Sequence, residues 1–266
     1  MNFKIVNELI NNKNGKDLAK LFNFGVDLSG VKTSKIYSPF EDLFKKQQLF
    51  FEIRTYENAE EVVKSAFYVL DEGDYTYYLA KKVIMNCLSF IYNENEYKNK
   101  ETLAKTLANF TKVSNDIRYY AFNVLSQLYF EMSKFELLEN LLLVSSNTRQ
   151  RKLDFYVYNL YKGITLFYLD RFKESFISLS IAFKSKRLKA FCVFPYFLCA
   201  MLNGKIVKKE VLIKYNCESL APLSLNLKHG KFKQISFELK DLSSNLIEFY
   251  IFRSCYTYLP LIALEI

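Results

Sequence analysis

Large apolar residues recur at helical spacing along almost the whole chain, in segments that return about every fifteen to twenty residues. The first runs through Phe3, Val6 and Ile10 and breaks at Asn14-Gly15; the second, with Leu18, Leu21 and Phe22, ends near Gly25. After an irregular stretch from Gly25 to Pro39, read as a linker, Phe40, Leu43, Phe44, Leu49, Phe50 and Ile53 resume the pattern. Ser38-Pro39 stands where a helix should open, since Ser can cap free N–H groups and Pro suits a first turn. Further helices are expected over Ala59–Leu70, Tyr75–Tyr92, Glu101–Thr111, Asp116–Met132 and Phe135–Val144.

Each such stripe is wider than one helix can bury by itself, so neighbours must cover one another. Connections of a few residues make adjacent helices antiparallel. The expected architecture is therefore all-α: stacked helix pairs in a TPR-like solenoid, with no strict period of about 34 residues. Only seven Gly and four Pro punctuate 266 residues, too few for the turns an all-β chain requires. Half of the residues are apolar, which argues against disorder.

The net charge of +9 is uneven. Residues 1–170 hold 22 Lys/Arg against 21 Asp/Glu, and residues 171–266 hold 15 against 7. A positive field at one end attracts polyanions, whether nucleic acid or an acidic protein; abundant Lys can also simply solvate a surface. The lysines singled out for a basic edge are Lys205, Lys208, Lys209, Lys214, Lys228, Lys231 and Lys233.

A search for chemistry returns little. The one histidine, His229, lies in Lys228-His229-Gly230-Lys231, which reads as a helix end with a Gly cap. Cys87, Cys192, Cys199, Cys217 and Cys255 are odd in number, have no C-x-x-C spacing and read as small core residues of a reducing compartment. Gly15-Lys16 is followed by Asp17 and lacks the other glycines of a phosphate loop. Glu60-Glu61 and Asp71-Glu72 are expected on solvent faces. The Tyr119-Tyr120 and Tyr156–Tyr161 stretches could stack bases, but aromatics at helical spacing are core material first. No enzyme, cofactor or metal site is expected. The longest apolar run, Ala190 to Leu202, is thirteen residues, well short of the roughly 20 needed to span a membrane. It is expected to form a buried helix. No secretory leader is visible at the N-terminus, so an intracellular, soluble protein is expected.

From about residue 115 the spacing becomes distinctive. Asn123-x-Leu125-x-x-Leu128-Tyr129-Phe130 is followed by Lys134-Phe135, Leu141-Leu142, then Tyr158, Tyr161, Gly163 and Phe167. Arg171-Phe172-Lys173-Glu174 comes next, opening the returning helix of a hairpin whose buried face should be Phe172, Phe176, Leu179 and Phe183. Met201-Leu202-x-Gly204, Leu212, Tyr215, Leu220-Ala221 and Gly230-Lys231-Phe232 complete the run. Gly163 within a helix costs about 1 kcal/mol relative to Ala, tolerable where another helix must come close.

These blocks, with Asn14-Gly15 through Leu21 and Ser38-Pro39-Phe40-Glu41-Asp42-Leu43-Phe44, resemble the PCI family, shared by the proteasome lid, the signalosome and translation initiation factor three. Within it the chain is most similar to the PCI subunit of the second transcription-export (TREX) complex, and the likeness is weak only over residues 57–114. The resemblance implies helical repeats over residues 1–114 and the helical part of a PCI domain over 115–266. It implies a scaffold in messenger-RNA export, coupling transcription to export at the nuclear pore. Its partners would be a large scaffold subunit and a small, acidic, disordered subunit, with RNA or DNA as a further ligand. Location would be nuclear, otherwise cytoplasmic. The family continues into a winged-helix subdomain; here Tyr258-Leu-Pro-Leu-Ile-Ala-Leu-Glu-Ile stands where the helical part would finish, so that subdomain is expected to be missing or truncated. The alternatives are membership of another PCI assembly, such as the lid or a signalosome-associated one, and direct nucleic-acid binding.

Overall fold

The computed structural model describes residues 3–21, 36, 38–70, 72, 74–93, 97–110, 118–143, 152–249 and 251–265. Among them are sixteen α-helices, two short 3-10 helices and no strand. Most of the linker expected between Gly25 and Pro39, the 114/115 division and Asp71 lie outside the described residues, as do the side chains of Tyr119 and Tyr120. The chain forms two compact units, Met1–Leu128 and Tyr129–Ile266.

The first unit holds α1 (Phe3–Asn11), α2 (Gly15–Leu21), α3 (Phe40–Glu52), α4 (Tyr56–Leu70), α5 (Tyr77–Asn93), α6 (Tyr97–Phe110) and most of α7 (Arg118–Glu131). α3 packs on α4 and α4 on α5. Along α3 the buried line is Phe40, Leu43, Phe44, Gln47 and Phe50. Leu49 and Ile53, expected in that stripe, are exposed: with 3.6 residues per turn Gln47 falls on the inner face and Leu49 on the outer one, and Ile53 lies past the helix end in extended backbone. Nor does Ser38 cap α3, because Pro39 holds the N-cap position and no side chain accepts a bond there. α7 buries Phe122, Asn123, Val124, Leu125, Ser126 and Leu128 in near-continuous sequence, so it is enclosed on several sides rather than along one stripe.

Charged side chains knit α3 to α4. The Ser65 hydroxyl donates to Asp42 at 2.6 Å, and Lys46 pairs with both Asp42 (3.1 Å) and Glu61 (3.2 Å). Lys64 reaches Glu60 (3.0 Å) and Glu61 (2.8 Å). Glu60 is thus not on a solvent face as expected but buried, and Lys64 one turn later neutralises it. Gly15 opens α2 beneath the backbone of Tyr75; a Cβ there would fall 1.4 Å from the Tyr75 carbonyl oxygen, which only glycine avoids.

The second unit contains α8 (Phe135–Leu143), α9 (Lys152–Tyr168), α10 (Phe172–Ala182), α11 (Lys189–Leu202), α12 (Lys209–Lys214), α13 (Ala221–Lys228), α14 (Phe232–Asp241), α15 (Ser243–Glu248) and α16 (Phe252–Glu265). α9 and α10 form a tight antiparallel pair. A Cβ on Gly163 would lie 2.6 Å from Leu179 Cγ, and the Ser175 hydroxyl donates to the Gly163 carbonyl at 2.7 Å, so the close approach expected of Gly163 is present. Leu179 is fully buried while Phe172, Phe176 and Phe183 are half-buried. From Cys192 to Leu202 α11 is buried at every position but the partly buried Tyr196, whereas Ala190 and Phe191, expected in the same buried run, are exposed at its start. The core runs from Leu160, Ile164 and Phe167 through α11 to Leu223, Leu227, Ile235, Leu239, Cys255 and Leu259. Asp170, at the α9–α10 turn, accepts bonds from Ser254 (2.6 Å) and Tyr258 (3.3 Å) of α16 and holds the end of the unit against its hairpin.

Six helix ends share one closing geometry. At Lys13, Ser133, Asp170, Gly204, Asn216 and Gly230 the backbone has positive φ. In each the residue's N–H bonds three residues back and the next N–H bonds five back, as in Gly230→Leu227 and Lys231→Asn226. These are Schellman turns, which satisfy the last carbonyls of a helix. The two expected from sequence were those at the glycines; the other four place an L side chain where the left-handed conformation costs about 1 kcal/mol.

Candidate functional site

The seven lysines lie between the end of α11 and the start of α14. α11 closes at Gly204, the chain runs extended to Lys208, and α12 follows. A 3-10 turn (Glu218–Leu220) leads into α13, whose Schellman turn at Gly230 leads into α14. Leu212, Cys217, Leu220, Leu223 and Leu227 are buried and fix how these short helices face. Ser224 latches the extended segment to α13: its hydroxyl donates to the Val207 carbonyl at 2.7 Å and accepts from the Val207 N–H at 3.1 Å.

This latch creates an open groove of about 670 Å³ between residues 206–210 and α13. Ile206, Val207, Pro222 and Leu225 give it an aliphatic floor, and Lys208, Lys209 and Lys228 stand at its rim beside one carboxylate, Glu210. The structure therefore brings three of the seven lysines together. Lys205 stands instead over the Phe176 ring, 3.9 Å from its centroid. Lys214 is 5.8 Å from the Tyr215 ring centre, and Lys231 and Lys233 are exposed at the turn into α14 and in its first residues. All seven are exposed and none enters an ion pair among the described residues.

Beside the groove an aromatic ladder joins α10, α11 and α12. Tyr196 stacks on Phe176 (5.3 Å) and on Phe183 (4.6 Å), and Phe183 and Phe197 both meet Tyr215. Lys205 stands over Phe176, and Lys189 over both Phe183 (4.9 Å) and Tyr215 (5.1 Å). The outer rings thus already carry cations. Sequence reading did not anticipate the aliphatic floor. Its one signal was Leu225, which falls out of phase with the buried Leu223 and Leu227 and is 56% exposed.

Other places carry less. A second open groove, about 660 Å³, lies between the α9–α10 turn and the end of α11, but most of its charged side chains are already paired. There Arg171 makes two bonds to Glu174, at 2.8 and 2.6 Å. His229 is the exposed C-cap residue of α13, the helix-end position expected for it. All five cysteines are buried and free, as expected of core residues. Burial pushes the Cys192, Cys199 and Cys217 thiols up to about 11, and Cys87 and Cys255 higher, so none is a ready thiolate. Among the described residues no group of three or more His, Cys, Asp or Glu could hold a metal ion. Among them, too, no helix is long and apolar enough to cross a membrane.

The chain matches no protein-family model and no curated protein.

Proposed function

We propose that this chain is a non-enzymatic PCI-type scaffold subunit of a nuclear messenger-RNA export complex, coupling transcription to export at the nuclear pore. In this reading it pairs with a large scaffold subunit and offers its basic surface to a small acidic subunit. The observation that carries the reading is the run from Lys205 to Lys233, in which seven exposed lysines have no acidic partner among the described residues. Uncompensated charge of one sign repels itself, and a counter-charged partner relieves that cost. Helical stacks supply long surfaces for extended partners, and the PCI-like spacing from Asn123 to Phe232 supports membership of such an assembly.

Direct binding of RNA or DNA is the competing reading. Non-specific single-strand binding joins a basic track to free aromatic faces, whereas the floor here is aliphatic and the neighbouring rings are engaged with one another. Native mass spectrometry of the complex isolated from its source tests the proposal. A stoichiometric assembly with one large and one small acidic subunit is expected, held less firmly as salt rises. Recovery within a proteasome-lid or signalosome-type assembly would reassign the chain, and recovery alone would overturn the scaffold reading.

A further inference from the structure

The groove between residues 206–210 and α13 has a composition that restricts what can fill it. Its floor is aliphatic, with Leu225 56% and Ile206 38% exposed. A single exposed leucine is ordinary. Four aliphatic residues lining one concavity, ringed by cations, are what a ligand with an apolar anchor and anionic flanks requires. Polar contacts alone would not need that floor, and an apolar ligand alone would not need that rim.

We infer that this groove receives a short acidic segment of a partner protein, in which one large apolar side chain is flanked by Asp or Glu. The apolar side chain lies on Ile206, Val207, Pro222 and Leu225, and the flanking carboxylates meet Lys208 and Lys209 on one wall and Lys228 on the other. Because Lys208 and Lys209 stand at the start of α12 and Lys228 ends α13, the carboxylates must lie on both sides of the anchor, a pattern a uniformly acidic tail lacks. Ser224 fixes the spacing of the two walls through its paired bonds to Val207, so the groove exists before the partner arrives and little ordering is needed on this side. Glu210, the one carboxylate of the lining, disfavours a segment whose acidic residues crowd the α12 end. Nucleic acid fits less well, since a base would meet aliphatic side chains where it needs a ring. This inference rests on the scaffold reading but is narrower than it.

Fluorescence anisotropy with the purified full chain tests it. The probe is a labelled peptide with one Phe flanked on both sides by Asp and Glu; the comparison ligands are the same peptide with Ser for Phe and a uridine-rich oligonucleotide. Leu225→Ser should weaken the Phe peptide by about tenfold. The combined reversal Lys208→Glu, Lys209→Glu, Lys228→Glu should weaken it by about a hundredfold or more at low salt. The Ser peptide should be weaker on the native chain yet indifferent to Leu225→Ser, because the two changes remove the same contact. All these positions are exposed, so thermal unfolding should stay unchanged in the variants. Failure of the Phe peptide to bind, or losses from Leu225→Ser and from the Ser peptide that simply add, would overturn the groove. If those losses simply add but charge reversal still abolishes binding, the basic-surface scaffold reading stands without the groove. Tighter binding of the oligonucleotide than of the Phe peptide would overturn both.

Discussion

The α3–α4 pair of the first unit and the stretch from Lys205 to Lys233 of the second treat their charges in opposite ways. On α3 and α4 of the first, Asp42, Lys46, Glu60, Glu61, Lys64 and Ser65 satisfy one another across the helix pair. From Lys205 to Lys233 of the second, no lysine has an acidic partner among the described residues, though the apolar core beneath them is as thoroughly buried. Charge that is matched internally helps to specify which helices pair; charge left unmatched over a finished core contributes nothing to folding and is free for recognition. The groove sits where the second condition holds.

The comparison can be broken first at the cores, where the expected effects are largest. Phe167, fully buried in the second unit, and Phe44, equally enclosed in the first, should each cost about 3–5 kcal/mol on truncation to Ala. Chemical denaturation measures both, and a loss under about 1 kcal/mol for Phe167 would mean the second unit is loosely packed and its groove not preformed. Next comes Asp170, whose side chain ties the α9–α10 turn to α16 and whose backbone has a φ of 60°. Asp170→Ala should lose about 2 kcal/mol, keeping the strain without the bonds, while Asp170→Gly should lose less because it relieves the backbone. Equal losses would show that only the side-chain bonds matter.

Smaller effects bear on the charges themselves. Lys46→Met should destabilise the first unit by under about 1 kcal/mol, since its pairs are partly exposed. Reversing Lys208, Lys209 and Lys228 should leave thermal stability unchanged or slightly improved; a clear loss would reveal internal partners and undo the contrast. The smallest is a pH effect. Burial would raise Asp42, but the Ser65 hydroxyl and Lys46 outweigh it and hold the carboxyl below its usual value. Lys64 first, then Lys46, do the same for Glu61. A carboxylate whose folded pKa is depressed stabilises above its unfolded pKa and loses that contribution as pH falls through the folded one. Melts followed by circular dichroism should therefore drop as pH falls below about 4, the unfolded carboxylate range, and less steeply in Lys46→Met.

Much of the fold could be read from residues alone, because helical periodicity and polar breaks are local properties. The segments expected at Ala59–Leu70 and Phe135–Val144 correspond closely to α4 and α8. The close approach at Gly163 and the turns at Gly204 and Gly230 were legible because glycine has a specific steric meaning. Lys13, Ser133, Asp170 and Asn216 make the same turn without that signature, so tertiary packing decides there. Glu60 looked solvent-facing because its neutralising Lys64 does not advertise burial. The lysines were visible as a run, but their sorting was not. Lys208, Lys209 and Lys228 share a groove because Ser224 bonds Val207 across seventeen residues of sequence.

The most direct test is the affinity of the isolated chain for an acidic peptide carrying the proposed pattern, one Phe flanked on both sides by Asp and Glu, measured by calorimetry across a range of salt for the native sequence and the Lys208/Lys209/Lys228 reversal. Binding should weaken steadily as salt rises in the native chain, and the reversal should bring it near the limit of detection at every salt concentration. Affinity that ignores both salt and the three reversals would contradict the account.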